Sequence, residues 1–167
     1  MAKIMFKNNP INTNGDLPKK GETAPNFLLI NKDLKEVTLD HFKGKKKILS
    51  INPSLDTSVC QETTKHFNEF AKKHPEISIL VITKDLPFAQ KRFCAAENLK
   101  NVITLSVMRS NDFLKDYGVY LEDGPLQGLA ARAVLILDED NKVIFSKLVE
   151  EITHEPDFAE VESHLND

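Results

Sequence analysis

Apolar and polar positions change period several times along the chain, and each change marks an element. Residues 46–52 (KKILSIN) form a short apolar run stopped by Pro53, the pattern of a buried strand. From Val59 the period becomes helical. Val59, Thr63, Phe67 and Phe70 recur on one face and predict a helix of about four turns from near Ser58 to Lys73, ended by Pro75. Residues 76–83 (EISILVIT) read as a second buried strand. Asp85 and Pro87 supply the cap and first-turn proline of a second helix that turns Leu86, Ala89, Phe93 and Ala96 inward. A strand at 102–106 follows, then a short helix at 111–117 and a loop at 118–128 that holds three glycines and Pro125.

Residues 131–137 and 142–149 are two strands joined by Asp138, Glu139, Asp140 and Asn141, a strong hairpin signal, and Pro156 opens a closing helix to about Leu165. Upstream, residues 3–13 suit a small hairpin around Pro10 and residues 15–25 a loop rich in breakers. A strand at 26–30 follows, with 37–39 pairing nearby. This β-α-β-α order, closed by a hairpin and a helix, predicts an α/β fold whose mixed central sheet is covered by helices on both faces. Other small α/β folds share that order.

Length and composition narrow the classes. A chain of 167 residues predicts one domain spanning 1–167, because this size buries roughly two thirds of its unfolded surface in one core. No apolar run reaches the length of a membrane span, and residues 1–14 lack the apolar core of a secretory signal, so a cytoplasmic protein is expected. A net charge of -3 gives no field that attracts phosphate backbones, and the basic run at 43–47 reads as a solvated turn before a strand. No nucleic-acid partner is expected.

The two cysteines, Cys60 and Cys94, are the informative count. With 33 residues between them they do not form the Cys-x-x-Cys of a dithiol oxidoreductase, and none of the five histidines makes a ligand pair with either. No metal is expected. Cys60 falls between a buried strand and a helix, in the first helical turn. Unpaired N–H groups and the positive end of the helix dipole stabilise a thiolate there, the nucleophilic form of cysteine. Pro53 can shield the sulfur from water, and Thr57 can turn its hydroxyl toward the sulfur or a bound oxygen. The same residues also fit an inert packed thiol with Thr57 or Ser58 as a plain helix cap.

Pro53, Thr57 and Cys60 stand at the fixed positions of Pro-x-x-x-Thr-x-x-Cys, and here the chain resembles the peroxiredoxins. Its segments at 53–60, 85–94, 101–106, 123–133 and 149–156 are similar, in order, to signatures of the bacterial thiol peroxidases, or atypical two-cysteine peroxiredoxins. The resemblance covers essentially the whole chain. It implies a thioredoxin-like fold and a thiol peroxidase in which Cys60 attacks the hydroperoxide. Cys94, at the edge of its helix's buried face, then resolves the Cys60 sulfenic acid into an intramolecular disulfide. Arg132 is similar to the family's active-site arginine, held among the apolar Ala130, Ala131, Ala133 and Val134; the alternative is a surface ion-pair partner.

The resemblance further implies thioredoxin as reductant and a homodimer with the 123–128 loop near its interface, without metal, haem or flavin. A disulfide needs Cα atoms within about 7 Å, so two cysteines on separate helices predict unwinding around 57–62 and 86–97 during turnover. Apolar Leu55, Val59 and Leu126 suit organic peroxides. A disulfide reductase or isomerase on the same fold is disfavoured by the missing Cys-x-x-Cys, and a non-enzymatic redox sensor would differ by lack of continuous turnover.

Overall fold

The computed structural model describes residues 1–166. A hairpin of β1 (Lys3–Phe6) and β2 (Asn9–Asn12) stands apart from a seven-stranded sheet. The sheet contains β3 (Leu29–Ile30), β4 (Glu36–Val37), β5 (Lys46–Ile51), β6 (Ile77–Thr83), β7 (Ile103–Ser106), β8 (Ala133–Leu137) and β9 (Val143–Leu148) in the order β4-β3-β7-β6-β5-β8-β9. Strands β5, β6 and β7 are parallel, and every other pairing is antiparallel. Helices α1 (Ser58–Lys73) and α2 (Pro87–Ala96) make the two crossovers, and α3 (Asp112–Asp116) and α4 (Phe158–Ser163) follow. The mixed sheet flanked by helices, with its N-terminal hairpin, is the architecture the pattern predicts.

The central strands β5, β6 and β8 are mostly apolar because both faces are covered. Successive residues point to opposite faces. Ile48 and Ile79 join Phe67 of α1 and Val161 of α4 on one face. Leu49 and Leu80 join Phe113 of α3 and Ile4 and Ile11 of the hairpin on the other. Helices α1 and α2 are neighbours: Lys65 pairs with Glu97 at 3.2 Å, and the Asn101 amide donates to Asn68 Oδ1 at 2.9 Å.

The hairpin turns at Lys7 and Asn8, both left-handed with φ of 50° and 66°, the conformation a tight two-residue turn requires. It then docks on the 150–152 segment, since Met5 N donates to Glu150 O at 2.7 Å and Ile152 N donates to Met5 O at 2.9 Å.

Four local expectations are corrected. The strand expected at 26–30 shrinks to its last two residues because Asn26 Oδ1 accepts from Leu39 N at 3.1 Å, fixing that stretch as a loop. The closing helix begins at Phe158 rather than Pro156, with Asp157 as cap accepting from Glu160 N. Asp85 is not the cap of α2, whose cap position is Leu86 without a side-chain bond. The inward face of α2 also differs: Leu86 is 52% exposed and Ala96 is exposed, whereas Pro87 and Gln90 are buried and Ala89 and Phe93 half-buried. Gln90 Nε2 donates to Thr83 Oγ1 and Leu105 O, both at 3.0 Å, so a polar anchor holds α2 to the sheet in place of an apolar stripe.

Candidate active site

The site begins where β5 runs out. Asn52 and Pro53 continue its line and are buried, the chain then surfaces at 56–58, and α1 starts at Ser58. Thr57 is the helix cap: its Oγ1 accepts from Cys60 N at 3.3 Å and donates to Ser54 O at 3.3 Å. The hydroxyl is therefore committed to the amide of Cys60 rather than turned to its sulfur. Cys60 sits in the first turn, 0% exposed.

Sheet register supplies the second group. Ala133 pairs with Ile51 across the antiparallel β8–β5 ladder, so the residue before β8, Arg132, lies opposite Asn52. Arg132 is 2% exposed, which excludes the surface ion-pair alternative. Its Nη1 donates to Cys60 Sγ at 3.1 Å and to Asn52 Oδ1 at 2.9 Å, and its Nε donates to Ile152 O at 2.9 Å. Asn52 is oriented in turn by donating Nδ2 to Ser50 O at 3.1 Å and to Ser50 Oγ at 3.2 Å. A guanidinium held from two sides thus directs one N–H donor at a buried sulfur.

Cys94 is placed differently. It is half-buried near the end of α2 and lines a groove of about 750 Å³ with Lys32, Lys91, Leu99, Lys100 and Ile103. Burial pushes its thiol pKa up, opposed by the nearby charge of Lys32. The structure does not bring the two cysteines together, and both are free. Cys60 is the third residue of α1 and Cys94 the eighth of α2.

The 123–128 loop closes on the hairpin. Asp123 accepts from Asn12 Nδ2 and Asn12 N, both at 2.8 Å, and these bonds lower its pKa. Gly124 has φ of 77°, and a Cβ there would meet Ile11 Cγ2 at 2.6 Å, so glycine is required.

Of the candidates named from sequence, the structure brings Thr57, Cys60 and Arg132 together, sets Pro53 just ahead of them and leaves Cys94 apart; sequence reasoning did not name Asn52, the Ile152 carbonyl or the bonds of Asp85 to the loop ahead of Cys60. The Asp85 carboxylate accepts from Ser54 Oγ at 2.8 Å, Leu55 N at 2.7 Å and Thr83 Oγ1 at 2.8 Å. A polar residue directly between a buried strand and Pro53 was a signal for Asn52. Nothing local marks Ile152.

Known proteins share this arrangement of chain. A sequence model of the Redoxin family matches residues 19–165. Thiol peroxidase of Staphylococcus saprophyticus is 47% identical over 167 residues, 99% of each chain, and that of Corynebacterium glutamicum is 45% identical over 166 residues, 99% of this chain and all of its own. The crystal structure of a peroxiredoxin-like protein from Aquifex aeolicus superposes with a TM-score of 0.93 at 39% identity, covering 99% of this chain and 96% of that one. The thioredoxin-like peroxiredoxin fold is therefore shared as well as the sequence, and the chain belongs to the redoxin family, among the thiol peroxidases of the peroxiredoxin group.

Proposed function

We propose that this thiol peroxidase works through Cys60 as nucleophile and Cys94 as resolving thiol, with Arg132, Thr57 and Pro53 shaping the site. The contact of Arg132 Nη1 with Cys60 Sγ at 3.1 Å, both residues buried, carries the reading. A buried cation calls for a compensating charge. Among the described residues the other acceptors of Arg132 are the neutral Asn52 side chain and Ile152 carbonyl, so a thiolate on Cys60 is the group that completes the site. Thr57 holds Cys60 in the first turn, and Pro53 keeps water from the sulfur.

Cys60 thiolate attacks the terminal oxygen of a hydroperoxide. The O–O bond breaks, the sulfur becomes a sulfenic acid, and alcohol or water leaves after taking a proton, while Arg132 and the first-turn N–H groups stabilise the departing oxygen's charge. Cys94 thiol then displaces water from the sulfenic acid to close the disulfide, which an external dithiol reduces by exchange. Closure requires residues 57–62, 86–97 or both to unwind. Thioredoxin is the reductant we assign, in a cytoplasmic setting that suits two free thiols. No metal, haem or flavin takes part.

The apolar Leu55, Val59 and Leu126 suit organic hydroperoxides alongside hydrogen peroxide. A homodimer is proposed with the 123–128 loop at its interface, and Leu86 and Phe88, exposed at 52% and 65%, supply apolar surface for one. Among the described residues no helix is long and apolar enough to cross a membrane.

Peroxide consumption with thioredoxin, its reductase and NADPH tests the proposal. Wild type turns over continuously, Cys60→Ser is inactive, and Cys94→Ser loses thioredoxin-driven turnover while still forming a sulfenic acid. A wild type that reacts once without recycling would make the chain a redox sensor.

A further inference from the structure

Asp85 occupies the joint between the two segments that carry the cysteines. It follows β6, precedes α2, and is itself fixed from the sheet: its N–H donates to Thr83 Oγ1 at 3.1 Å and its carbonyl accepts from Ser106 Oγ at 2.5 Å. Its carboxylate reaches across to the loop ahead of Cys60. Bonds of 2.8 Å from Ser54 Oγ and 2.7 Å from Leu55 N are short and well within the strong range.

From Ser54 the connection continues to the nucleophile by longer bonds. Ser54 Oγ accepts from Asp56 N at 3.1 Å, Ser54 O accepts from Thr57 Oγ1 at 3.3 Å, and Thr57 Oγ1 accepts from Cys60 N at 3.3 Å. Residues 56–58 are exposed, whereas Leu55 is 3% exposed. The firm part of the loop therefore ends at Leu55, and the part that presents Cys60 follows from it by longer bonds, those of Asp56 and of the Thr57 hydroxyl to Ser54 being solvent-exposed.

Resting on the peroxidase reading above, we propose that Asp85 is a positioning residue, a clasp that sets the peroxide-ready form of the Cys60 loop and marks the hinge, between Leu55 and Asp56, at which that loop unwinds for disulfide closure. It acts through Ser54, Leu55 and Thr57 and touches neither sulfur. The clasp therefore has unequal effects on the two chemical steps. Attack on peroxide needs the capped first turn held in place. Closure with Cys94 needs that turn released, so loss of the clasp does not slow it.

Stopped-flow measurement of both steps, sulfenic acid formation and disulfide closure, separates these effects. Asp85→Ala slows sulfenic acid formation about tenfold or more, while closure keeps or exceeds its wild-type rate. Asp85→Asn restores the first step to within about threefold, because an amide oxygen can accept from Leu55 N and Thr83 Oγ1 while its NH₂ donates to the Ser54 hydroxyl. If Asp85→Ala does not fold, Ser54→Ala carries the test, with about a threefold loss confined to the first step. Sulfenic acid formation unchanged in these variants, or both steps falling together without rescue by Asp85→Asn, overturns the clasp. A wild type that forms no sulfenic acid overturns the peroxidase reading itself, an outcome visible before any variant is made.

Discussion

The surroundings of the two cysteines are opposites. Cys60 has no exposed surface and receives a hydrogen bond from a guanidinium that is itself pinned by Asn52 and Ile152. Cys94 is half-buried near the end of α2, where the next three residues, Ala95, Ala96 and Glu97, are exposed, and it opens on a wide groove. Three distant parts of the chain, at 52, 132 and 152, agree on where the Cys60 sulfur sits. Among the described residues no comparable set of side-chain bonds fixes Cys94. The contrast matches the division of labour proposed for them: a nucleophile must be preorganised for a small substrate, whereas a resolving thiol must leave its place.

Removing the charge tests the fixed side most severely. Arg132→Met lowers the second-order rate of sulfenic acid formation by roughly 10²–10³-fold, the scale seen when a preorganised donor is lost, as read by stopped-flow with hydrogen peroxide. Asn52→Ala leaves the guanidinium with one oriented acceptor fewer. It slows the same step about tenfold and costs about 1–3 kcal/mol of stability in denaturant titration, because Arg132 Nη1 and Ser50 lose a buried partner.

On the Cys94 side the sign reverses. Ala95→Gly, on the exposed surface of α2, weakens that helix by about 1 kcal/mol. It speeds disulfide closure a few-fold and leaves sulfenic acid formation unchanged; a slowed closure would mean that the folded α2 assists the reaction. Cys94 in a Cys60→Ser background reacts with iodoacetamide more slowly at pH 8 than a free model thiol, since burial raises its pKa.

The smallest effect belongs to a residue whose hydrogen-bond partners include neither sulfur. Glu151 accepts from the Thr153 amide and hydroxyl at 3.0 and 2.8 Å and from the Asn8 amide at 2.8 Å, joining the hairpin to the segment whose Ile152 carbonyl holds Arg132. The Thr153 amide foremost, then the Asn8 amide, depress its pKa from 4.5 to about 2. A depressed folded-state value means that the stabilisation is complete above the ordinary carboxylate range and fades as the pH falls from about 4.5 to about 2. The stability gap between wild type and Glu151→Gln, under about 1 kcal/mol at this solvent-screened position, closes across that window in urea titrations.

How much of this was legible in sequence depends on distance along the chain. Pro53, Thr57 and Cys60 lie within eight residues at a strand-to-helix junction, so the change of period sets them there and the Pro-x-x-x-Thr-x-x-Cys pattern singles them out. Arg132 was readable from the resemblance and from its apolar neighbours, which the burial of that stretch explains. The partners that orient it were not, because Asn52 meets Arg132 only through β5–β8 register, and Ile152 contributes a carbonyl, which no side chain signals. Helix α2 misled for a related reason. Its periodicity suggested an apolar face, but Gln90 anchors it through two buried polar bonds, and Asp85, read as its cap, serves the loop ahead of Cys60 instead.

The most direct test of the account follows the fate of the two sulfurs after one equivalent of hydrogen peroxide is added to the reduced protein without reductant. Intact-mass and peptide mapping should show the loss of two hydrogens and one peptide linking Cys60 to Cys94, with Cys94→Ser instead gaining a single oxygen on Cys60. An unchanged mass, oxygen added at Cys94, or a disulfide joining two chains through one cysteine each would contradict it.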